Sequence, residues 1–379
     1  MLILMAAVTL VLPLIYNLRL WRQDLVRIRK LTAMRKEIPL LTGDVPRVSF
    51  LIAAWNEEST LRSCIEAIER LSYPSLEIVL CAGGTDRTGK IASELNDLRL
   101  ILLVQQPGDG KQKSLRRCLE QASGEIIYLL DAGGLINDAA FARILGPILS
   151  GGEQVVTGSP CTPLPGQIAN PFVVSQCASQ VYTSIHQPEY SSGLLGANCA
   201  ILRRKLEQAG GFNAATRTGG DYDLGKRLLR QGSRVRYVAD ASFPIEFHTQ
   251  VRAYLRQQSR WIRNVVIHGV RFGAYREVLS CLSASLIGLA MLVLPCLALV
   301  LEWSHGSHTV ARICAAVWTF AFLHACCSRV RYVKVAERWL GVRFPRHVLA
   351  LLPLFLLIDF VAWSIPLVQY QSRALRERW

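Results

Sequence analysis

Long apolar runs constrain the folding of this chain more than any other feature. Three of them follow one another in the last third of the sequence, at about 279–301, 310–327 and 348–370. A fourth, Met1 to Leu18, would measure roughly 27 Å as a helix, close to the thickness of one bilayer core. The sequence therefore predicts about four transmembrane helices, one at 1–20 and the others in a C-terminal region at 278–370.

Charges beside these runs predict the orientation of the chain. Basic residues follow the first run and none precedes it, whereas a signal peptide carries its charge in front. The loop at 328–347 is rich in Arg and Lys, and the loop at 302–309 has little charge. Because short basic loops remain in the cytoplasm, we expect a multi-pass protein of the cell membrane whose residues from 20 onward begin on the cytoplasmic side.

One acidic residue, Asp359, lies inside the last apolar run. A carboxylate at membrane depth is costly unless it is paired, and such residues often mark functional sites. Two interpretations stay open at this point. Asp359 either belongs to a functional site or caps a neighbouring helix.

The basic excess of the chain narrows the classes of partner. Its formal net charge is +15, with 51% hydrophobic residues. Many Lys and Arg residues lie beside apolar segments, which favours anionic lipid headgroups, and a phosphorylated substrate is a further candidate. No nucleic-acid-binding motif is present, so we expect no nucleic acid partner. The 11 cysteines lack metal-type spacing. We therefore expect them to serve as small apolar side chains in a reducing compartment.

A different pattern, strands alternating with helices, begins at Val45. Four buried-type strands are predicted at 48–55, 77–81, 100–104 and 125–130, with helical periodicity at 58–71, from about 88, and at 111–122. Such alternation is typical of an α/β fold with a parallel sheet covered on both faces. Ligands bind such sheets at the carboxyl ends of the strands. We predict one cytoplasmic domain at 45–248.

A segment at 249–277 joins this domain to the apolar runs and has the period of an amphipathic helix. Its apolar residues form one stripe, made of Val251, Tyr254, Leu255, Trp261, Ile262, Val265, Val266 and Val270. Arg252, Arg256 and Arg260 recur every four residues on another face. A helix with this division lies flat on a membrane surface. Either it only anchors the domain, or its basic face also contacts a ligand of that domain.

Five short motifs occur in a fixed order along the chain. They are Ala53-Ala-Trp-Asn-Glu-Glu58, Gly83-Gly-Thr-Asp-Arg-Thr88, Asp131-Ala-Gly133, Gly220-Asp-Tyr-Asp-Leu224 and Gln257-x-x-Arg-Trp261. Together they resemble the membrane-bound family 2 glycosyltransferases, which include cellulose, hyaluronan and chitin synthases and ceramide glucosyltransferase. The resemblance covers about residues 45–275. It implies a GT-A fold, a Rossmann-like sheet that binds a nucleotide sugar on the cytoplasmic side.

The resemblance assigns roles to residues of these motifs. Inverting transfer needs a base for the acceptor hydroxyl, and Asp221 matches that base; a helix cap is the structural alternative. Arg260 matches the arginine that binds the diphosphate. Trp261 and Gln257 match acceptor contacts, and Asn198 closes a loop, residues 192–198, that matches the glycine-rich loop beside the acceptor.

A second group of residues is predicted to bind the donor. Asn56, Glu57, Asp86 and Asp131 follow predicted strands, and Lys111 opens a helix after a glycine turn. The resemblance favours a UDP-sugar over a GDP-sugar as the donor.

Three departures from the family pattern affect these roles. The family often has two aspartates where this chain has Cys81-Ala82. Recognition of the nucleotide's base must therefore come from Asn56, Asp86 or the backbone. Gly133 replaces the second carboxylate of an Asp-x-Asp motif, usually a metal ligand. Gly220 replaces the acidic residue that the family has immediately before its catalytic base, here Asp221. A divalent cation, Mg or Mn, is still predicted, with Asp131 and His248 as the candidate ligands.

These features predict an inverting glycosyltransferase that moves a sugar from a nucleotide-diphosphate sugar to a lipid or lipid-linked acceptor at the cytoplasmic membrane face. Two alternatives stay open. One is a processive polysaccharide synthase, which is supported by the complete Gln-x-x-Arg-Trp motif. The other is a degenerate, non-catalytic subunit that binds nucleotide. It is supported by the loss of the family's acidic residues at Ala82, Gly133 and Gly220.

Overall fold

A computed structural model describes residues 2–34, 45–304 and 308–369, and of residues 2–10 and 368 the backbone only. The strands are β1 Val48–Trp55, β2 Leu76–Gly83, β3 Leu100–Val104, β4 Ile126–Leu130, β5 Val155–Thr157, β6 Thr162–Pro163, β7 Tyr190–Ser191, β8 Asn198–Leu202, β9 Val235–Tyr237 and β10 Pro244–Ile245. The helices are α1 Leu2–Ala33, α2 Leu61–Glu69, α3 Thr88–Ser93, α4 Gly110–Gln121, α5 Asp138–Gly151, α6 Pro171–His186, α7 Arg203–Gln208, α8 Gly220–Arg230, α9 Val251–Phe272, α10 Tyr275–Trp303, α11 His308–Leu340 and α12 His347–Gln369.

The contacts within the chain divide it into two units. The sheet unit comprises 35–164 and 186–246, and the helical unit comprises 1–34, 165–185 and 247–379. The segment at 165–185, which lies within the predicted domain 45–248, thus groups with the helices. Aromatic contacts explain this grouping. The Phe172 ring of α6 lies 5.0 Å from the Tyr254 ring and 5.4 Å from the Phe355 ring, and Tyr182 stacks on Tyr332 at 3.8 Å.

The sheet unit contains a mixed sheet in the order β3-β2-β1-β4-β8-β5-β9-β7. Strands β3, β2, β1 and β4 are parallel, as predicted. Strand β8 runs antiparallel to β4, with Asn198 opposite Leu130. The loop before β8 is therefore delivered to the edge of the sheet where β4 ends and Asp131 follows.

Alternate residues of the central strands build two cores, one on each face of the sheet. Phe50 and Tyr128 face α5, where their rings meet Phe141 at centroid distances of 5.5 and 5.4 Å. Leu51 and Ile127 face the opposite core, which contains buried residues of α4 and α8. Both faces are covered, so the sequence prediction of an α/β sheet with helices on both sides is confirmed.

Three helices in the described part of the chain are long and apolar enough to cross a membrane, at Tyr275–Trp303, His308–Leu340 and His347–Leu367. They correspond to the three predicted C-terminal runs. The predicted span at 1–20 stays a prediction: its backbone from Leu2 belongs to α1, and the side chains of residues 1–10 lie outside the described residues. Tyr370, the predicted end of the last run, also lies outside them.

Helix α9 has the amphipathic character of a helix that lies at a membrane surface. Its inward face, which includes Tyr254, Arg263, Asn264 and His268, is largely polar. Of the predicted apolar stripe, Val270 is 53% and Trp261 42% exposed, whereas Tyr254 is buried. Arg252, Arg256 and Arg260 are exposed as well. A helix that exposes apolar and basic side chains together suits a membrane surface.

Buried ion pairs tie the helical unit together. Asp359 is 4% exposed and accepts hydrogen bonds from the Tyr254 hydroxyl and the Arg329 guanidinium, which also donates to Ser179. A second ion pair joins α11 to α1 through Arg331 and Asp24, at 2.5 Å. Asp359 thus takes part in a side-chain ion pair that joins α12 to α11 and α9, a role different from the predicted helix cap.

Candidate active site

The turns after β1 and β2 interlock at the carboxyl edge of the sheet. Asn56 adopts a φ of 59°, in the left-handed region that non-glycine residues seldom enter, and its Oδ1 accepts from the Thr85 amide at 2.8 Å. A Cβ atom at Gly84, whose φ is 150°, would lie 2.3 Å from the same Oδ1. Position 84 therefore requires glycine, and the amide side chain of Asn56 holds the two turns together.

Asp86 adds a second set of hydrogen bonds between these turns. Its carboxylate accepts from the Thr88 amide at 2.9 Å and from the Glu58 amide at 3.3 Å, while the Glu57 amide donates to the Thr88 hydroxyl at 2.7 Å. Burial acts to raise the pKa of Asp86, but the hydrogen bonds from Thr88 and the backbone prevail and lower it. The structure thus brings together three of the predicted donor residues, Asn56, Glu57 and Asp86.

The next predicted pair, Asp131 and Lys111, meets directly. Asp131 follows β4, and Lys111 lies in the first turn of α4 after Gly108 and Gly110, both with positive φ. The Lys111 ammonium donates to Asp131 Oδ1, and each side chain is about half exposed. Burial is the main cause of the raised pKa of Glu57, and the charges of Asp131 and Lys111 also act on this carboxyl group. An exposed pair of this kind adds little stability, so its position at the strand ends points to ligand binding.

Asp221 lies in the first turn of α8, after Gly219 with a φ of 69°. Its side chain is exposed, and a Cβ atom at Gly196 would lie 3.2 Å from Asp221 Cβ, so the loop before β8 passes close to it. Burial raises the pKa of the Cys199 thiol, and the charges of Asp221, Lys111 and Asp131 all act on it. Gly220, the residue before Asp221, lies against Gln112, the residue after Lys111, and Lys111 is bonded to Asp131. These contacts bring the three predicted site residues to one edge of the sheet.

Gln112 completes this edge and was missed by the sequence analysis. Its side chain is 8% exposed and lies against Gly220, where a Cβ atom would come within 1.9 Å of Nε2 and 2.1 Å of Cδ. Its Oε1 is buried and has no hydrogen-bond partner among the described residues. Gln112 thus fills the space that a side chain before Asp221 would take. The only signal in the sequence was the departure from the family pattern at Gly220.

Replacing Gly220 by alanine is expected to lower the free energy of unfolding by roughly 1–3 kcal/mol, because the new methyl group must displace the buried Gln112 amide. Thermal unfolding of the purified protein measures the loss. Gly89→Ala is the matched control, since a Cβ atom there meets nothing within 4 Å. The double change Gln112→Ala, Gly220→Ala should recover part of the loss; equal losses in the single and double variants would contradict the proposed fit.

The prediction of an acceptor contact at Asn198 needs correction. This residue begins β8 and is fully buried. Its Oδ1 accepts from the Tyr128 hydroxyl, and its Nδ2 donates to the Ala241 carbonyl at 2.8 Å. Asn198 therefore joins strands inside the core, and the loop before it, not its side chain, reaches the site edge.

The motif on α9 belongs to the helical unit. Gln257, Arg260 and Trp261 are spaced i, i+3 and i+4, so they share one face of the helix. Arg260 and Trp261 are exposed, and Gln257 is partly exposed. The motif therefore presents a cation and an aromatic ring at the helix surface, and the contacts of these residues with diphosphate and acceptor stay predictions.

The residues around Asp131 do not fit a divalent cation well. Among the described residues no group of three or more His, Cys, Asp or Glu side chains could hold a metal ion. Asp131 is bonded to Lys111, and a Cβ atom at Gly133 would meet only the Thr60 methyl, at 4.0 Å, so the position of the missing carboxylate is open space. The other predicted ligand, His248, lies in the helical unit, where its carbonyl accepts from Gln176 at 2.7 Å. The chemistry available from the described residues of this site does not include a bound metal ion.

Similar proteins fall into one class. YdaM of Bacillus subtilis, described as a probable glycosyltransferase, is 25% identical over 244 residues, which cover 58% of this chain and 55% of YdaM. The beta-monoglucosyldiacylglycerol synthase of Synechocystis sp. is 27% identical over 243 residues, 59% of this chain and 50% of that protein. The chain thus spans about half the length of these curated relatives.

A solved structure and a family model agree with this class. The mannosyltransferase PcManGT from Pyrobaculum calidifontis, solved with GDP-Man and Mn2+, matches with a TM-score of 0.51 and 18% identity over 100% of this chain and 97% of that one, which shows a shared fold. Residues 46–264 match the family model described as glycosyltransferase like family 2. That match covers more than half of the chain, including the strand ends and α8, and the chain therefore belongs to glycosyltransferase like family 2.

Proposed function

We propose that the protein is an inverting glycosyltransferase that moves a sugar from a nucleotide-diphosphate sugar to a lipid or lipid-linked acceptor at the cytoplasmic membrane face. The observation that carries this proposal is a set of contacts at the carboxyl edge of the sheet: Lys111 is bonded to Asp131, and Gln112, the next residue of α4, lies against Gly220, which precedes Asp221. A general base and a cation near one point are what such a transfer needs.

The proposed reaction is one displacement at the anomeric carbon. Asp221 accepts the proton of the acceptor hydroxyl as its oxygen forms the new bond to that carbon. The bond from the same carbon to the diphosphate oxygen breaks, and the nucleoside diphosphate leaves with the electron pair. Its developing negative charge is met by Lys111 and, on the resemblance of its motif, by Arg260.

Recognition of the nucleotide is proposed to rest on the interlocked turns. Asn56 and Asp86 hold these turns in one conformation through the hydrogen bonds described above. A preformed loop loses little entropy when a ligand binds. The resemblance favours uridine, but Cys81 and Ala82 supply no carboxylate to the base, so both UDP- and GDP-sugars belong in the first experiment.

A lipid acceptor is supported by similarity and by the outer surface of α9. One relative is named for synthesis of a glucosyldiacylglycerol, and three helices of the described chain are apolar enough to cross a bilayer. Trp261 is exposed on α9 beside apolar side chains. In this proposal Trp261 and Gln257 contact the acceptor as it lies at the membrane surface.

Membranes that contain the protein are expected to release nucleotide from one member of a panel of labelled UDP- and GDP-sugars and to transfer its sugar to extractable lipid. Membranes with the Asp221→Asn variant serve as the control, because that change removes the base. Short, lipid-extractable products support single transfer, and long polymers would support the processive alternative instead. If no donor is bound or turned over, the proposal fails, and a non-catalytic subunit becomes the better interpretation.

A further inference from the structure

The cation that the donor diphosphate needs can be identified from the residues around Asp131. We propose, resting on the function proposed above, that the Lys111 ammonium takes the place of a divalent metal at the diphosphate, so that the donor binds without metal. Lys111 would then be the residue that sets the metal requirement of the site, with Asp131 as its positioning partner.

The first support is the state of Asp131. A divalent cation is held by several oxygen ligands, commonly carboxylates, and neutralises the phosphate oxygens at the same time. Here the one carboxylate of the motif is already bonded to an ammonium group. A metal ion would have to displace Lys111 from Asp131 before it could bind, whereas a diphosphate can approach an ammonium that is already in place.

The second support is the empty space at position 133. A Cβ atom there would meet only the Thr60 methyl at 4.0 Å, an ordinary van der Waals distance, and the backbone of Gly133 lies outside the left-handed region. A side chain at position 133 would therefore extend into open space next to Thr60. The nearby carboxylate of Glu57 accepts a hydrogen bond from the Thr60 hydroxyl at 3.1 Å.

The third support is the placement of Lys111. It lies in the first turn of α4, whose start is a favourable position for an anion because backbone amides point outward there. A lysine in this position is a common phosphate ligand in proteins. Its contact with Asp131 holds the flexible side chain near the edge of the sheet before the ligand arrives, which lowers the entropy lost on binding.

The test measures binding of UDP and GDP to the full-length protein in detergent, first with EDTA and then with excess Mn2+. The wild type is expected to bind one of them with EDTA present, with less than about a twofold change on addition of Mn2+. Lys111→Met should weaken binding roughly tenfold to a hundredfold, the effect of one hydrogen bond to a charged group. Lys113→Met is the matched control, because Lys113 lies on the same helix and pairs with Asp109 instead.

A gain of metal response gives an independent test. Gly133→Asp restores the second carboxylate in open space, so the variant should fold, bind Mn2+ in the presence of the nucleotide as seen by electron paramagnetic resonance, and bind the nucleotide on the order of tenfold more tightly with Mn2+. Gly133→Ala controls for the added bulk and should show no response.

Wild-type binding that disappears with EDTA, or a Lys111→Met variant that binds as tightly as the wild type, would overturn this inference while leaving the proposed function intact. Failure of every nucleotide to bind under both conditions would overturn the proposed function as well.

Discussion

Replacing Asp221 by asparagine is expected to lower the rate of sugar transfer by a factor of about 10²–10⁴, the usual contribution of a positioned general base. The amide keeps the shape of the carboxylate but cannot take a proton from the acceptor hydroxyl. Since Asp221 is exposed and lies close to the loop at Gly196, the change should leave packing intact. Initial rates of transfer, measured with the nucleotide sugar that the donor panel selects, give the effect.

Two further measurements separate catalysis from folding in this experiment. Nucleotide affinity and the unfolding temperature of Asp221→Asn should match those of the wild type. The matched control is Asp223→Asn, two residues along the same helix. Asp223 is 1% exposed and pairs with Arg227 at 2.8 Å, so its replacement should cost about 1–3 kcal/mol of stability. Full transfer activity in a folded Asp221→Asn protein would end its assignment as the base.

Replacing Asp359 by asparagine is expected to destabilise the helical unit by about 3–5 kcal/mol, because the change leaves the Arg329 guanidinium charged and buried without its counter-charge. Equilibrium unfolding of the detergent-solubilised protein measures the loss. Nucleotide binding at the sheet unit should survive under conditions in which the variant stays folded.

Two other variants show whether the ion pair or a hydrogen bond carries this effect. Tyr254→Phe removes only the hydroxyl that donates to Asp359 and should cost about 1 kcal/mol. The double change Arg329→Met, Asp359→Leu removes both charges and should be more stable than Asp359→Asn alone. A double variant less stable than the single one would contradict a structural ion pair.

The positions of the strands along the first part of the chain followed from the sequence because its signals are local. Strands at 48–55 and 100–104 have the predicted bounds, since buried strands of a covered sheet are nearly continuous apolar runs. The grouping of Asn56, Glu57 and Asp86 also followed, because the ends of parallel strands meet at one edge.

Other features depend on contacts between distant parts of the chain. The direction of β8 is not encoded in its five residues; pairing with β4 decides it, and that pairing buries Asn198 in the core. Gln112 is an ordinary polar residue on a helix until the fold brings it against Gly220, more than 100 positions away. No period in the sequence marks either of them.

By itself the sequence determined the class of sheet, the three apolar helices, the family motifs and the residue types available for base and phosphate contacts, because apolar period and short motifs are properties of neighbouring residues. Only the tertiary structure decided that Lys111 is bonded to Asp131, that Asp359 is neutralised by Arg329, and that α9 buries the face with Tyr254, Arg263, Asn264 and His268. Each of these is an electrostatic or packing choice between groups far apart in sequence, and its energy depends on distance and burial that exist only in the folded chain.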